Sequence, residues 1–199
     1  MLKLVVSILS IGLMFSCGSK SDDDAGDGGI AELQGTWSQA CTRGTGVSNT
    51  ASKTVYVISG ATATATQTAY NEAATCTTEG LVSTWSGTMA AAGDATTPTG
   101  AKKYNFTWAT VSQTPKIASY VTAFNTLGLC GITTWALNTE TSILGKTCGN
   151  TTFQSAGDIS YDIYKITGTS LSLGKTDATN TGKTDALRPI ALDTVVYTK

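Results

Sequence analysis

Apolar and polar positions change their rhythm three times along this chain. Residues 4–15 form an almost unbroken apolar run behind Lys3, and Ser16 follows as a small residue. The run is too short to anchor a membrane span and has the layout of a secretory signal over residues 1–16. Residues 17–29 then carry almost no apolar side chain and read as a flexible tether, because nothing there offsets the entropy of ordering. Their aspartates do not make a calcium loop: counting from Asp23, Ala25 and Gln34 stand where ligands are needed.

From Ile30 onward the rhythm is that of short strands rich in Thr, Val, Tyr and Trp, separated by glycine-containing breaks. Strands are expected at 54–59, 61–70, 81–89, 103–111, 132–137, 152–154, 159–166, 170–173 and 191–198. A long loop is expected at 90–102. One segment departs from this rhythm. Ile117, Tyr120, Val121, Phe124 and Leu127 recur at helical spacing, which predicts an amphipathic helix over 116–127. Thr114 would cap it, Pro115 would open it and Gly128 would end it. The fold class predicted for 30–199 is all-β: an antiparallel β-barrel of about 8–10 strands with one short helix. Closure would also remove exposed strand edges.

Composition narrows the function. The chain is 41% hydrophobic, enough for a core, but only 14% charged. Beyond residue 29 the charges nearly balance, because Lys3 and Lys20 and the four aspartates at 22, 23, 24 and 27 are left behind. No basic stripe exists to attract nucleic acid. Histidine is absent, which removes the commonest general base and metal ligand. No nucleophile elbow or phosphate-cradling loop is present, and Glu72 with Glu79 reads as solvated surface rather than a glycan-cleaving pair. Neither an enzyme nor a cofactor is expected. Cys41, Cys76, Cys130 and Cys148 form an even set in an exported chain, so two disulfides are expected. Of three possible pairings, Cys41–Cys76 with Cys130–Cys148 closes the shortest loops. Their spacing does not fit a structural zinc site.

Two local motifs carry resemblances. Leu13-Met14-Phe15-Ser16-Cys17 resembles the lipobox of bacterial lipoproteins. This implies acylation of Cys17, a membrane partner reached through that lipid, and a place in the bacterial cell envelope. Leu33-Gln34-Gly35-Thr36-Trp37 resembles the Gly-x-Trp motif on the first strand of lipocalins and related calycins. The segment 164–199 is similar to the end of lipocalin-like bacterial lipoproteins. The resemblance implies an eight-stranded barrel closed at one end by Gly35 and Trp37, with Arg188 lying over the tryptophan ring. Gly-Thr-Trp also opens avidin-type barrels, which are shorter and lack this cysteine pattern.

All four tryptophans follow a threonine, and on a strand one of the two faces inward. Trp85, Trp108 and Trp135 are the candidate lining of an internal cavity, opposed by small residues of the Ala-Thr stretch at 61–70. Tyr120 and Phe124 of the helix would turn toward that lumen. The function expected is a tethered envelope lipoprotein that binds a small apolar ligand. The competing class is a structural or adhesive envelope module with a filled core.

Overall fold

The computed structural model describes residues 30–43, 50–72 and 75–199. The expected signal at 1–16, Cys17 and the tether at 17–29 lie outside the described residues. In chain order the strands are β1 (Gly35–Gln39), β2 (Thr42–Arg43), β3 (Ala51–Ser59), β4 (Thr62–Tyr70), β5 (Glu79–Asp94) and β6 (Lys102–Pro115). Helix α1 (Ala118–Leu127) follows. The chain continues with β7 (Thr141–Ser142), β8 (Thr147–Cys148), β9 (Thr151–Thr152), β10 (Ile159–Thr167), β11 (Ser170–Gly174) and β12 (Leu192–Thr198).

Eight of these strands close into an antiparallel barrel of neighbours in sequence order: β1, β3, β4, β5, β6, β10, β11 and β12, with β12 returning to β1. The closure is compatible with the lipocalin-like barrel implied by the opening motif. Short β2 and β7 extend the wall beside β3 and β6, and β8 pairs with β9.

One end of the barrel is sealed from the N-terminal side. A short 3-10 turn, Ala31–Leu33, enters ahead of β1 and buries Leu33 completely. The Trp37 indole nitrogen donates to the Leu33 carbonyl at 2.8 Å, which satisfies both polar groups inside the core. Gly35 has φ +108°, a conformation that strains any residue with a Cβ, and this explains glycine two places before the tryptophan. The Gln34 side chain pins the turn to Gly60 in both directions, donating at 3.0 Å and accepting at 2.8 Å. Tyr164 of β10 donates to Glu32 at 2.5 Å, and Lys102 of β6 reaches the same carboxylate at 2.9 Å.

The cation over Trp37 is not Arg188. Lys199 Nζ lies 4.6 Å from the indole centroid instead. The register gives the reason: Thr198 pairs with Ser38, so the residue just after β12 falls beside Trp37. Arg188 precedes β12 and belongs to the loop before its opposite end. There it is buried, donating to the carbonyls of Tyr104 and Asp162, both at 2.6 Å, and to Asn105 and Asp185. Its guanidinium also faces the Tyr161 ring at 5.3 Å. Arg188 thus rivets the loop 175–191 to the outside of β6 and β10.

Other boundaries moved for local reasons. Residues 90–94 continue β5 and Lys102 begins β6, so the turn between them is much shorter than the loop expected at 90–102. Ala90 pairs with Asn105, Ala91 with Tyr104 and Asp94 with Lys102, a ladder that the weakly apolar alanines did not announce. The helix begins at Ala118, while Thr114 and Pro115 end β6 and do not cap it. Its C-terminus is Gly128 in the left-handed conformation, as expected. No strand forms at 132–137, because the Trp135 backbone is held by Asn125, whose amide accepts from its N–H at 2.7 Å and donates to its carbonyl at 2.9 Å. Both disulfides take the short-loop pairing, Cys41–Cys76 and Cys130–Cys148. Each removes roughly 3–4 kcal/mol of freedom from the unfolded chain on the loop-closure account.

The two cations make different contributions. Arg188→Ala removes charge-assisted bonds to buried carbonyls and should cost about 3 kcal/mol. Lys199→Ala removes an exposed cation over a ring and should cost below about 1 kcal/mol. Denaturant unfolding of both variants checks this ranking, and a reversed order would place the critical cation at Trp37.

Candidate functional site

A cavity of about 310 Å³ fills the barrel lumen. Leu33 forms its floor at the sealed end, and exposed Asp193 with half-buried Thr176 marks the other end. Strand alternation places the lining. On β6, Tyr104, Phe106 and Trp108 point inward as every second residue, and on β10 Ser160 and Asp162 do the same. Space exists because small residues stand between large ones. Ala65 of β4 sits in register between Tyr56 on β3 and Trp85 on β5. Ala63 is likewise placed between Ile58 and Gly87.

The rings meet edge to face. Phe106 and Trp108 are 4.9 Å apart, Tyr56 and Tyr197 5.0 Å, and Tyr56 and Trp85 6.4 Å. Such pairs stabilise beyond their buried area and hold one another rigid. The Trp108 indole nitrogen donates to the Ser160 hydroxyl.

Of the ring residues expected around a lumen, Trp85 and Trp108 do line it. Trp135, Tyr120 and Phe124 do not. Phe124 stacks with Tyr120 at 5.8 Å and meets Trp135 edge-on at 5.2 Å, an arm of the hydrophobic core between α1 and the segment after it. The Tyr120 ring also lies against Gly80 at the start of β5. The Trp135 indole donates to the Leu129 carbonyl at 3.2 Å, so that ring is spoken for. The helical stripe holds in part: Tyr120, Val121 and Phe124 pack on the flank of the β5–β6 end, while Ile117 precedes the helix and Leu127 is exposed. Gly35 and Trp37 belong to the sealed end, and Arg188 lies outside the wall behind Asp162.

The polar centre of the cavity is Asp162. Its carboxylate accepts from the Ile163 N–H at 2.7 Å, from the Tyr104 hydroxyl at 2.8 Å and from the Gly174 N–H. Gly174 is needed for that approach, since a Cβ there would stand 2.1 Å from the carboxylate oxygen. Despite three donors and the Arg188 charge, burial dominates and raises the Asp162 pKa from 3.8 to about 7. Tyr104 and Tyr56 are pushed well above the ordinary phenol value, chiefly by burial. Tyr56 and Tyr197 share a hydrogen bond, and all three tyrosines feel the Asp162 charge.

This constellation was missed in the sequence. Its signal is Ser160-Tyr161-Asp162-Ile163-Tyr164, an aspartate at an inward position of an otherwise apolar strand. Among the described residues no group of three metal-ligating acidic, cysteine or histidine side chains comes together. No protein-family model matches the chain, and no curated protein sequence does either.

Asp162 has a measurable consequence. A carboxyl that holds its proton more tightly folded than unfolded adds stability below the unfolded pKa and loses it as pH rises through 7. The interval from 3.8 to about 7 sets an upper limit of about 4 kcal/mol. Glu32, lowered by Tyr164 and Lys102, loses its contribution only below its ordinary range, and the chain has no histidine. Among the described residues, the effect of Asp162 therefore dominates between pH 5 and 8. Melting should be higher at pH 5 than at pH 8 by up to about 10 °C, and Asp162→Asn should flatten the profile. A wild-type profile rising toward pH 8 would contradict the assignment.

Proposed function

We propose that this chain is a lipid-anchored protein of the bacterial cell envelope whose lipocalin-like barrel binds a small apolar ligand in its lumen, as a binding protein rather than an enzyme. The observation that carries this reading is the cavity: about 310 Å³, walled by Tyr56, Trp85, Phe106 and Trp108, with Ala63 and Ala65 leaving the space open. Eight-stranded barrels either fill with side chains or hold one small ligand, and open space among rings favours the second. A volume near 300 Å³ lies at the lower bound of ordinary ligand sites. The sealed end at Leu33, Gly35 and Trp37 is in keeping with the lipocalin-like motif. The tether rests on the lipobox resemblance at Cys17 and the polar stretch after it.

Titration with apolar fluorescent probes, followed by tryptophan emission, tests the lumen. Saturable quenching is expected from Trp85 and Trp108. Ala65→Phe, which places a ring between Tyr56 and Trp85, should abolish saturation while the barrel stays folded. No saturable signal from any apolar probe would favour the structural or adhesive envelope module, whose stability the two disulfides could sustain alone.

Metabolic labelling with a fatty-acid analogue tests the tether. Cys17→Ser should lose both the label and membrane attachment. Undiminished labelling of that variant would remove the lipoprotein assignment.

A further inference from the structure

The lumen is apolar in bulk, yet its charge is one-sided. Its lining includes two carboxylates, Asp162 and Asp193, and neither a lysine nor an arginine. Arg188 does not change that. It donates to Asn105, which alternates with inward-facing Tyr104, and to exposed Asp185, neither of which lines the cavity, so it stands behind the wall. Its charge is engaged there by Asp185 at 2.6 Å.

Asp162 has acceptor capacity left. A carboxylate offers about four acceptor positions, and Ile163, Gly174 and Tyr104 take three. Around it stand the rings of Tyr56, Tyr104 and Tyr197, from three different strands. A carboxylate with an acceptor position to spare, in an apolar lumen whose wall carries Tyr56, Tyr104 and Tyr197, is an environment that attracts an ammonium group, through ion pairing and ring quadrupoles together. A fatty acid or other anionic amphiphile would meet two carboxylates and no cation.

We propose that the ligand is a small organic cation, a substituted ammonium on an apolar body, with Asp162 as its counter-ion and the Tyr56, Tyr104 and Tyr197 rings around its head. This rests on the reading of the barrel as a ligand-binding protein and specifies the class of ligand. The cavity volume corresponds to about ten water-sized groups, so the ligand has on the order of ten non-hydrogen atoms. The apolar body lies toward Leu33 and Phe106, and the head lies at the level of Asp162.

Asp162 is tuned from every side. The Tyr104 hydroxyl and the Ile163 and Gly174 amides donate to it, Arg188 favours its charged form from behind, and burial opposes that charge. Tyr56 and Tyr197 lie within range of its field, and Asp193 acts on the same two tyrosines. A permanently charged ligand binds the ionised carboxylate and competes with its proton.

The test compares three probes of matched size on the full chain by calorimetry: benzyltrimethylammonium, its uncharged carbon isostere neopentylbenzene, and phenylbutyrate. At pH 8 the cation should bind about tenfold or more tighter than the isostere, with phenylbutyrate weakest. Lowering the pH to 5 should weaken the cation by about tenfold or more and leave the isostere unchanged, because Asp162 is then protonated. Asp162→Asn should erase the preference for the cation and keep the isostere. Should that variant fail to fold, the wild-type pH comparison decides alone. Equal or tighter binding of the isostere or of phenylbutyrate, without pH dependence, would overturn the cation assignment while leaving the apolar lumen intact. Binding of none of the three would overturn both.

Discussion

Strand β1 holds the molecule shut. It is five residues long, yet it pairs with β3 over Gly35 to Ser38 and with β12 at Ser38 and Gln39. A sheet with this many threonines and so few charges has poor protection against edge pairing, and closure removes the edges. Trp37 sits in the middle of that strand, fully buried and bonded to the Leu33 carbonyl. Its position couples the seam of the barrel to the turn that seals the floor. Without this seam the inward rings of β3, β5 and β6 would have no opposite wall, and there would be no lumen.

The lumen follows from side-chain volumes on neighbouring strands. Large residues on β3, β5 and β6 face alanines on β4, and the disulfides and the riveted loop at Arg188 stabilise the barrel from outside that space. A core that leaves volume unfilled gives up dispersion contacts. Here covalent links and buried charge-assisted bonds are placed where they can offset that loss without occupying the cavity. The same layout puts Asp162 at the boundary. Its carboxylate faces inward, its backbone carbonyl is gripped from outside by Arg188, and Gly174 lets the next strand approach it closely.

Much of this was legible in the residues. Strand-like runs rich in Thr, Val, Tyr and Trp located seven of the eight barrel strands, the Gly-x-Trp motif located β1, and loop lengths favoured the cysteine pairing found. Partners in space were not legible. Arg188 was assigned to Trp37 because it lies near the last strand, but the β1–β12 register gives that place to Lys199. Tyr120, Phe124 and Trp135 formed a genuine apolar set, and periodicity shows that a stripe must be buried without showing against what. Residues 132–137 looked like a strand by composition, yet Asn125 supplies the hydrogen bonds that a neighbouring strand would have given. The role of Asp162 was not legible because it comes from Tyr104, distant in sequence, and from the close approach of Gly174 on the next strand.

Whether the barrel encloses accessible apolar space is decided by a crystal structure of the protein under xenon pressure. Xenon occupies apolar cavities without needing specific contacts. Xenon density is expected inside the barrel, beside Ala65, Trp85 and Phe106. A lumen packed solid by those side chains, with no xenon in it, would show that there is no ligand space.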